Sequence, residues 1–161
     1  CYTYNKKKQK DSSIIYYNKA YNQARKNQNK KLEKSVLGQM TSFYIENKEY
    51  DKAKNCLFPL LYSDTINIMT RYAMASDIYM NTEQYDSAKY YCNILIEKGS
   101  VYAKQNASRK LIKIYFKEGL YDEMIKSLGL YEQYRDSVNN ITATESVVRM
   151  NAIYNYQIRE P

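Results

Sequence analysis

Arg109, Lys110, Lys113 and Lys117 put four cations into little more than two turns of a helix. At spacings of three and four, Lys110, Lys113 and Lys117 share one face, and Arg109 lies one turn before Lys113. Like charges at this density repel one another unless an anion or carboxylates lie against them. The chemistry on offer is therefore capture of an acidic peptide or a terminal carboxylate. An ordinary solvated basic face is the competing reading. Residue types for catalysis are scarcer. None of the 161 residues is His, which removes the usual general base near neutral pH and the commonest metal ligand. Asp, Glu, Lys and Tyr remain, but no paired-carboxylate or nucleophile motif stands out among them. The glycines, at 38, 99, 119 and 129, are isolated and form no phosphate-cradling loop. The expectation is a protein that is not an enzyme and carries neither cofactor nor metal.

The three cysteines do not form a set. Cys56 and Cys92 stand among Leu57, Phe58, Ile94 and Leu95, as small buried apolar residues would. They occupy nearly equivalent positions 36 residues apart, one repeat-width, which is too far for a disulfide. Cys1 opens the chain as the residue left by lipoprotein processing would, making it a candidate lipidation site, with a chain boundary of other origin as the alternative. Residues 1–34 hold 10 Lys/Arg against 2 Asp/Glu, whereas residues 35–161 hold 15 of each. That excess fits a basic tether over residues 1–11 leading into a basic helix, either simply solvated or drawn to anionic headgroups beside a lipidated Cys1. A nucleic-acid ligand is not expected, because the folded array as a whole is neutral.

With 4 Gly and 2 Pro, the chain favours long helices with short connections. No run approaches the roughly 18 apolar residues of a membrane-spanning helix. The 20 Tyr and absent Trp point to a core built partly on Tyr, which packs its ring and hydrogen-bonds at the rim. One phrase occurs three times: Tyr50-Asp51-Lys52-Ala53, Tyr85-Asp86-Ser87-Ala88 and Tyr121-Asp122-Glu123-Met124, spaced 35 and 36 residues apart. Each follows an apolar-periodic segment and a polar break, the signature of a repeated helix pair. The apolar periodicity predicts about 8 helices, over residues 12–29, 31–47, 50–61, 66–82, 85–98, 101–118, 121–137 and 142–159. Asp11-Ser12, Asp64-Thr65 and a Thr142–Glu145 box are the expected starts of the first, fourth and last. Pro59 predicts a kink or an early end, and Gly99 a C-cap.

At these residues the chain resembles the tetratricopeptide repeat family. The first helices give Leu37-Met40-Thr41-Tyr44, Tyr72-Ala75-Ser76-Tyr79 and Ser108-Leu111-Ile112-Tyr115. The second helices give Tyr50-Ala53-Leu57-Leu60, Tyr85-Ala88-Cys92-Leu95 and Tyr121-Met124-Leu128-Tyr131. The family's repeat-closing Pro and first-helix Gly are absent, and its small second-helix residue becomes Met124 in the third copy. The resemblance implies an all-α fold of antiparallel helix pairs stacked as a right-handed superhelix. Its array would run over residues 12–137, with a partial leading repeat and units at about 33–63, 66–98 and 101–137, then a capping or stalk helix over 142–161. A narrower resemblance, from Tyr134-Arg135-Asp136-Ser137 and Ala152 to Glu160, is to the extracytoplasmic repeat region of Bacteroidetes membrane-bound regulators.

By the resemblance to the tetratricopeptide repeat family, the ligand groove is lined by the non-core residues of each first helix. These are Ser35, Gly38, Gln39, Ser42 and Glu46; then Thr70, Ala73, Met74, Asp77 and Asn81; then Asn106, Arg109, Lys110, Lys113 and Lys117. The site expected to matter most comprises Asp77, Asn81, Asn106, Arg109, Lys110, Lys113 and Lys117, with a protein or acidic peptide as partner. The implied function is a non-catalytic, protein-binding sensor or interaction domain outside the cytoplasm. It would be anchored through a lipidated Cys1 or through a membrane span outside this sequence. A free-standing envelope lipoprotein scaffold and a cytoplasmic repeat adaptor are the alternatives.

Overall fold

Between Tyr2 and Lys26 there is neither Gly nor Pro, and the chain coils through the whole stretch as α1 (Tyr2–Lys26). In the computed structural model the backbone is described for residues 2–62 and 67–159, and side chains for residues 12–62 and 67–153. The helix therefore includes the backbone of 2–11, where a tether was expected, and Asp11-Ser12 lies inside it instead of capping it. Six further helices follow: α2 (Lys30–Glu46), α3 (Tyr50–Leu61), α4 (Ile68–Asn81), α5 (Tyr85–Lys98), α6 (Val101–Glu118) and α7 (Tyr121–Arg159). Among the described residues there is no strand, so the fold is all-α. Cys1, the Asp64-Thr65 helix start and Glu160 lie outside the described residues.

Four of the connections share one turn. Gln28, Lys48, Glu83 and Gly119 are all left-handed, at φ of 54°, 60°, 58° and 74°. At Lys48 the amide donates to the Ile45 carbonyl (2.9 Å) and the next amide, Glu49, to the Tyr44 carbonyl (2.8 Å). The same two bonds recur at Gln28-Asn29, Glu83-Gln84 and Gly119-Leu120. These are Schellman closures, which give the orphan carbonyls at a helix end their donors and reverse the chain in about three residues. Only one of the four uses glycine.

The chain divides into two compact units, Cys1–Tyr91 and Cys92–Pro161, with the boundary inside α5. In the first, α2 packs against α1, α3 and α4, and α3 against α4. Val36, Leu37, Met40 and Tyr44 of α2 are buried in one cluster with Ala53, Cys56, Leu57 and Leu60 of α3 and Ala75 and Ile78 of α4. Thr41 and Ser76 are fully buried, and each returns its hydroxyl to its own helix, Thr41 to the Leu37 carbonyl (2.8 Å) and Ser76 to the Ala73 carbonyl (2.7 Å). Their small volume lets helices approach while no donor is left unmet. Tyr serves as a half-buried filler: Tyr91 stacks on Tyr79 at 5.7 Å and meets Tyr72 at 5.5 Å. α3 carries Pro59 inside it and ends at Leu61, the boundary expected from the periodicity, so Pro59 does not cut it short.

In the second unit α6 packs along α7. Ser100 caps α6 by accepting from the Ala103 amide (3.3 Å), and Ala107, Leu111 and Ile114 are buried. A Cβ on Gly99 would collide with the Leu95 carbonyl oxygen and come within 2.9 Å of the Ala103 Cβ, so the bare backbone is what permits this corner. Met124 is half-buried where Ala53 and Ala88 are fully buried, and Tyr121 is exposed where Tyr50 and Tyr85 are half-buried. No break separates 121–137 from 142–159. Thr142 lies mid-helix, and its hydroxyl donates to the Val138 carbonyl at 2.9 Å, four residues back. With that bond made inside the helix, the expected capping box does not form, and two expected helices are one.

Candidate functional site: a basic groove between α2 and α4

α2 and α4 pack side by side with a recess of about 690 Å³ between them. On α2 its wall is Lys31, Lys34, Ser35, Gly38, Gln39 and Ser42, which recur at three- and four-residue spacing along one face. Thr70, Arg71 and Met74 form the α4 wall, and Leu60 of α3 adds apolar surface. From Lys31 to Ser42 the wall is about 16 Å long at 1.5 Å per residue, room for roughly five residues of extended chain at about 3.3 Å each. Gly38 opens the middle: a Cβ there would meet nothing within 4 Å.

The lining carries four cations, Lys30, Lys31, Lys34 and Arg71, and no carboxylate. Lys30 is engaged at the rim, its ammonium 3.1 Å from Glu33 Oε2. Arg71 is held by its Nη1, which donates to the Leu60 carbonyl at 2.7 Å. None of the lining side chains is aromatic.

Six residues expected from sequence line this recess: Ser35, Gly38, Gln39, Ser42, Thr70 and Met74. Glu46, Ala73, Asp77 and Asn81 are not among its walls. Asn81 turns back on its own helix, its Nδ2 donating to the Asp77 carbonyl at 2.8 Å. The residues expected on α6 belong to the other unit. There Asn106 Oδ1 accepts from Arg109 Nη2 at 3.3 Å, and Arg109, Lys113 and Lys117 are exposed. Lys110 is only 9% exposed, so the stripe it shares with Lys117 is covered at one end and open at the other. Sequence reasoning missed Lys30, Lys31, Lys34 and Arg71. The signal was present in the excess charge of residues 1–34, three of whose lysines fall in α2 in register with Gly38 and Ser42.

Elsewhere the perturbed groups are structural. Burial pushes the Cys56 thiol up, and neither Cys56 nor Cys92 is in a disulfide. Burial, reinforced by Tyr79 and its neighbours, pushes the Tyr91 phenol up to about 12. Among the described residues no cluster of three His, Cys, Asp or Glu could hold a metal, and no helix is long and apolar enough to cross a membrane. No family model, curated protein or solved structure matches the chain.

Proposed function

We propose that this chain is a non-catalytic domain of tetratricopeptide-like helix pairs whose α2–α4 groove captures an extended acidic segment of a partner protein. One observation carries the reading: a recess whose lining holds Lys31, Lys34 and Arg71, with Lys30 paired to Glu33 at the rim, and no carboxylate of its own. Charge-assisted contacts from Lys31, Lys34 and Arg71 would hold Asp or Glu side chains, and Leu60 with Met74 would take one apolar side chain. The lack of aromatic surface disfavours single-stranded nucleic acid, which relies on stacked bases. Recurrence of one turn at Lys48, Glu83 and Gly119 supports the helix-pair repeat. An extracytoplasmic place in a membrane-anchored regulator rests on the resemblance of the closing segment, Tyr134 to Glu160. A lipoprotein scaffold would use the same groove.

Fluorescence anisotropy with a short Asp/Glu-rich peptide containing one Leu tests the groove, against a Lys-rich peptide of equal length. The acidic peptide binds and weakens as salt rises. Lys31→Glu with Lys34→Glu, and separately Gly38→Leu, each weaken binding about tenfold or more while the melting temperature holds. The same assay on Lys113→Glu with Lys117→Glu asks whether the α6 face contributes. Equal binding of the Lys-rich peptide, or indifference to both groove variants, sinks the proposal.

A further inference from the structure

From Asn139 to Ile153 every side chain of α7 is exposed, so this stretch of a 39-residue helix is unpacked among the described residues. A lone helical segment of this length is marginal in water and ordinarily draws its stability from packing. One face is built to be packed. At about 100° per residue, Ile141, Val148 and Ala152 fall within about 20° of a single line and border one shallow, mainly apolar recess. Glu145 and Arg149 lie together on one flank of that line, at about 40° and 80°. Among the described residues neither takes part in an ion pair.

We infer that this face pairs antiparallel with the same face of a second copy of the chain, about a two-fold axis passing through position 147. In an antiparallel pair related by a two-fold, the same flank of each helix meets. Glu145 and Arg149 are equidistant from position 147, so each Glu145 meets Arg149 of the second copy, twice per dimer. The apolar line is self-complementary on the same axis. Ile141 falls beside the small Ala152 of the second copy, and the two Val148 side chains sit side by side at the centre. A parallel pair brings opposite flanks together, sets Glu145 and Arg149 against the flank of Asn140 and Thr144, and leaves the charges unmatched. The matched stretch, Ile141 to Ala152, spans only about 17 Å, short of a standard stable interface. The dimer is therefore reversible and concentration-dependent.

Sedimentation equilibrium of the full chain from micromolar to millimolar concentration reads the equilibrium directly. A monomer–dimer curve is expected. Val148→Asp removes it, whereas Met150→Asp, on the opposite side of α7, leaves it in place. Glu145→Arg alone and Arg149→Glu alone each weaken association about tenfold, because two attractive contacts become repulsive. Mixing those two variants restores a dimer, since every Arg then finds a Glu across the axis. A chain that stays monomeric throughout, equal effects of Val148→Asp and Met150→Asp, or no recovery on mixing overturns the inference. Circular dichroism of each variant confirms that α7 is still helical.

Discussion

Glu83 and Gly119 occupy the same left-handed position of the same turn, at φ of 58° and 74°, yet one is an ordinary L-residue and the other is glycine. Substituting each toward the other should therefore move stability in opposite directions. An L-residue held in this region costs roughly 1–2 kcal/mol from the clash of Cβ with the following carbonyl. Against that, a glycine loses more backbone freedom on folding, which offsets about 0.4–1 kcal/mol. Glu83→Gly is thus worth a net gain of about 0.5–1 kcal/mol, and Gly119→Ala a net loss of similar size. A Cβ at Gly119 meets no atom within 4 Å, so no steric overlap beyond the local backbone enters the second figure. Glu83→Ala is the control, because it removes the carboxylate and keeps the Cβ. For a chain of this length about 1 kcal/mol shifts the melting temperature by roughly 2–4 °C, which thermal melts followed by circular dichroism resolve. The reasoning fails if Glu83→Gly melts below Glu83→Ala, or if Gly119→Ala melts above the parent chain.

Gly99→Ala should destabilise by a different mechanism and more strongly, by about 2 kcal/mol or more. Its Cβ meets the Leu95 carbonyl and Ala103, both fixed in helices, and the loss in urea midpoint should exceed that of Gly119→Ala. Alkaline titration should show Tyr91 ionising late. Tyr91 stands near 12 in the folded chain, so unfolded chains lose its proton first as pH rises from about 10. Its contribution to stability is complete below pH 10 and is lost on the way to pH 12. Tyr91→Phe should remove the late step from the tyrosinate absorbance curve, and a curve unchanged by that substitution would disprove the assignment.

The repeat was legible because its marker is chemical. A Tyr-Asp pair opens each packing helix directly after a left-handed turn, and the spacing of 35 and 36 residues fixes the register of the first-helix faces. The family resemblance put first-helix residues along a groove; six of them line the α2–α4 recess, while the seven singled out as its main site do not. The charged half of the groove was not legible, for a physical reason. Lys30, Lys31 and Lys34 continue a basic run whose earlier members lie in α1, and a run of like charge carries no mark of where it turns a corner. The corner is at Gln28, an exposed L-residue in a conformation that usually announces itself as Gly or Asn. The continuity of α7 was hidden in the same way. Thr142 and Glu145 read as a capping box only while the Thr142 hydroxyl is assumed to face a free amide. In the helix it bonds backward to Val138.

Arg71 ties the fold to the groove. α3 stops at Leu61, so the carbonyls of its last turn need donors from outside the helix. Arg71 supplies one, 2.7 Å from the Leu60 oxygen, and sets a cation at the negative end of the α3 dipole. That bond holds the guanidinium at the groove wall. An anchored guanidinium loses less side-chain entropy on meeting a carboxylate than a free lysine does. Arg71 should consequently contribute more to capture per charge than Lys31 or Lys34, and its loss should also loosen the end of α3. Arg71→Lys separates the two roles. It keeps the charge and gives up the guanidinium fork, so binding of the acidic peptide should fall by more than Lys31→Gln costs, with only a small change in melting temperature.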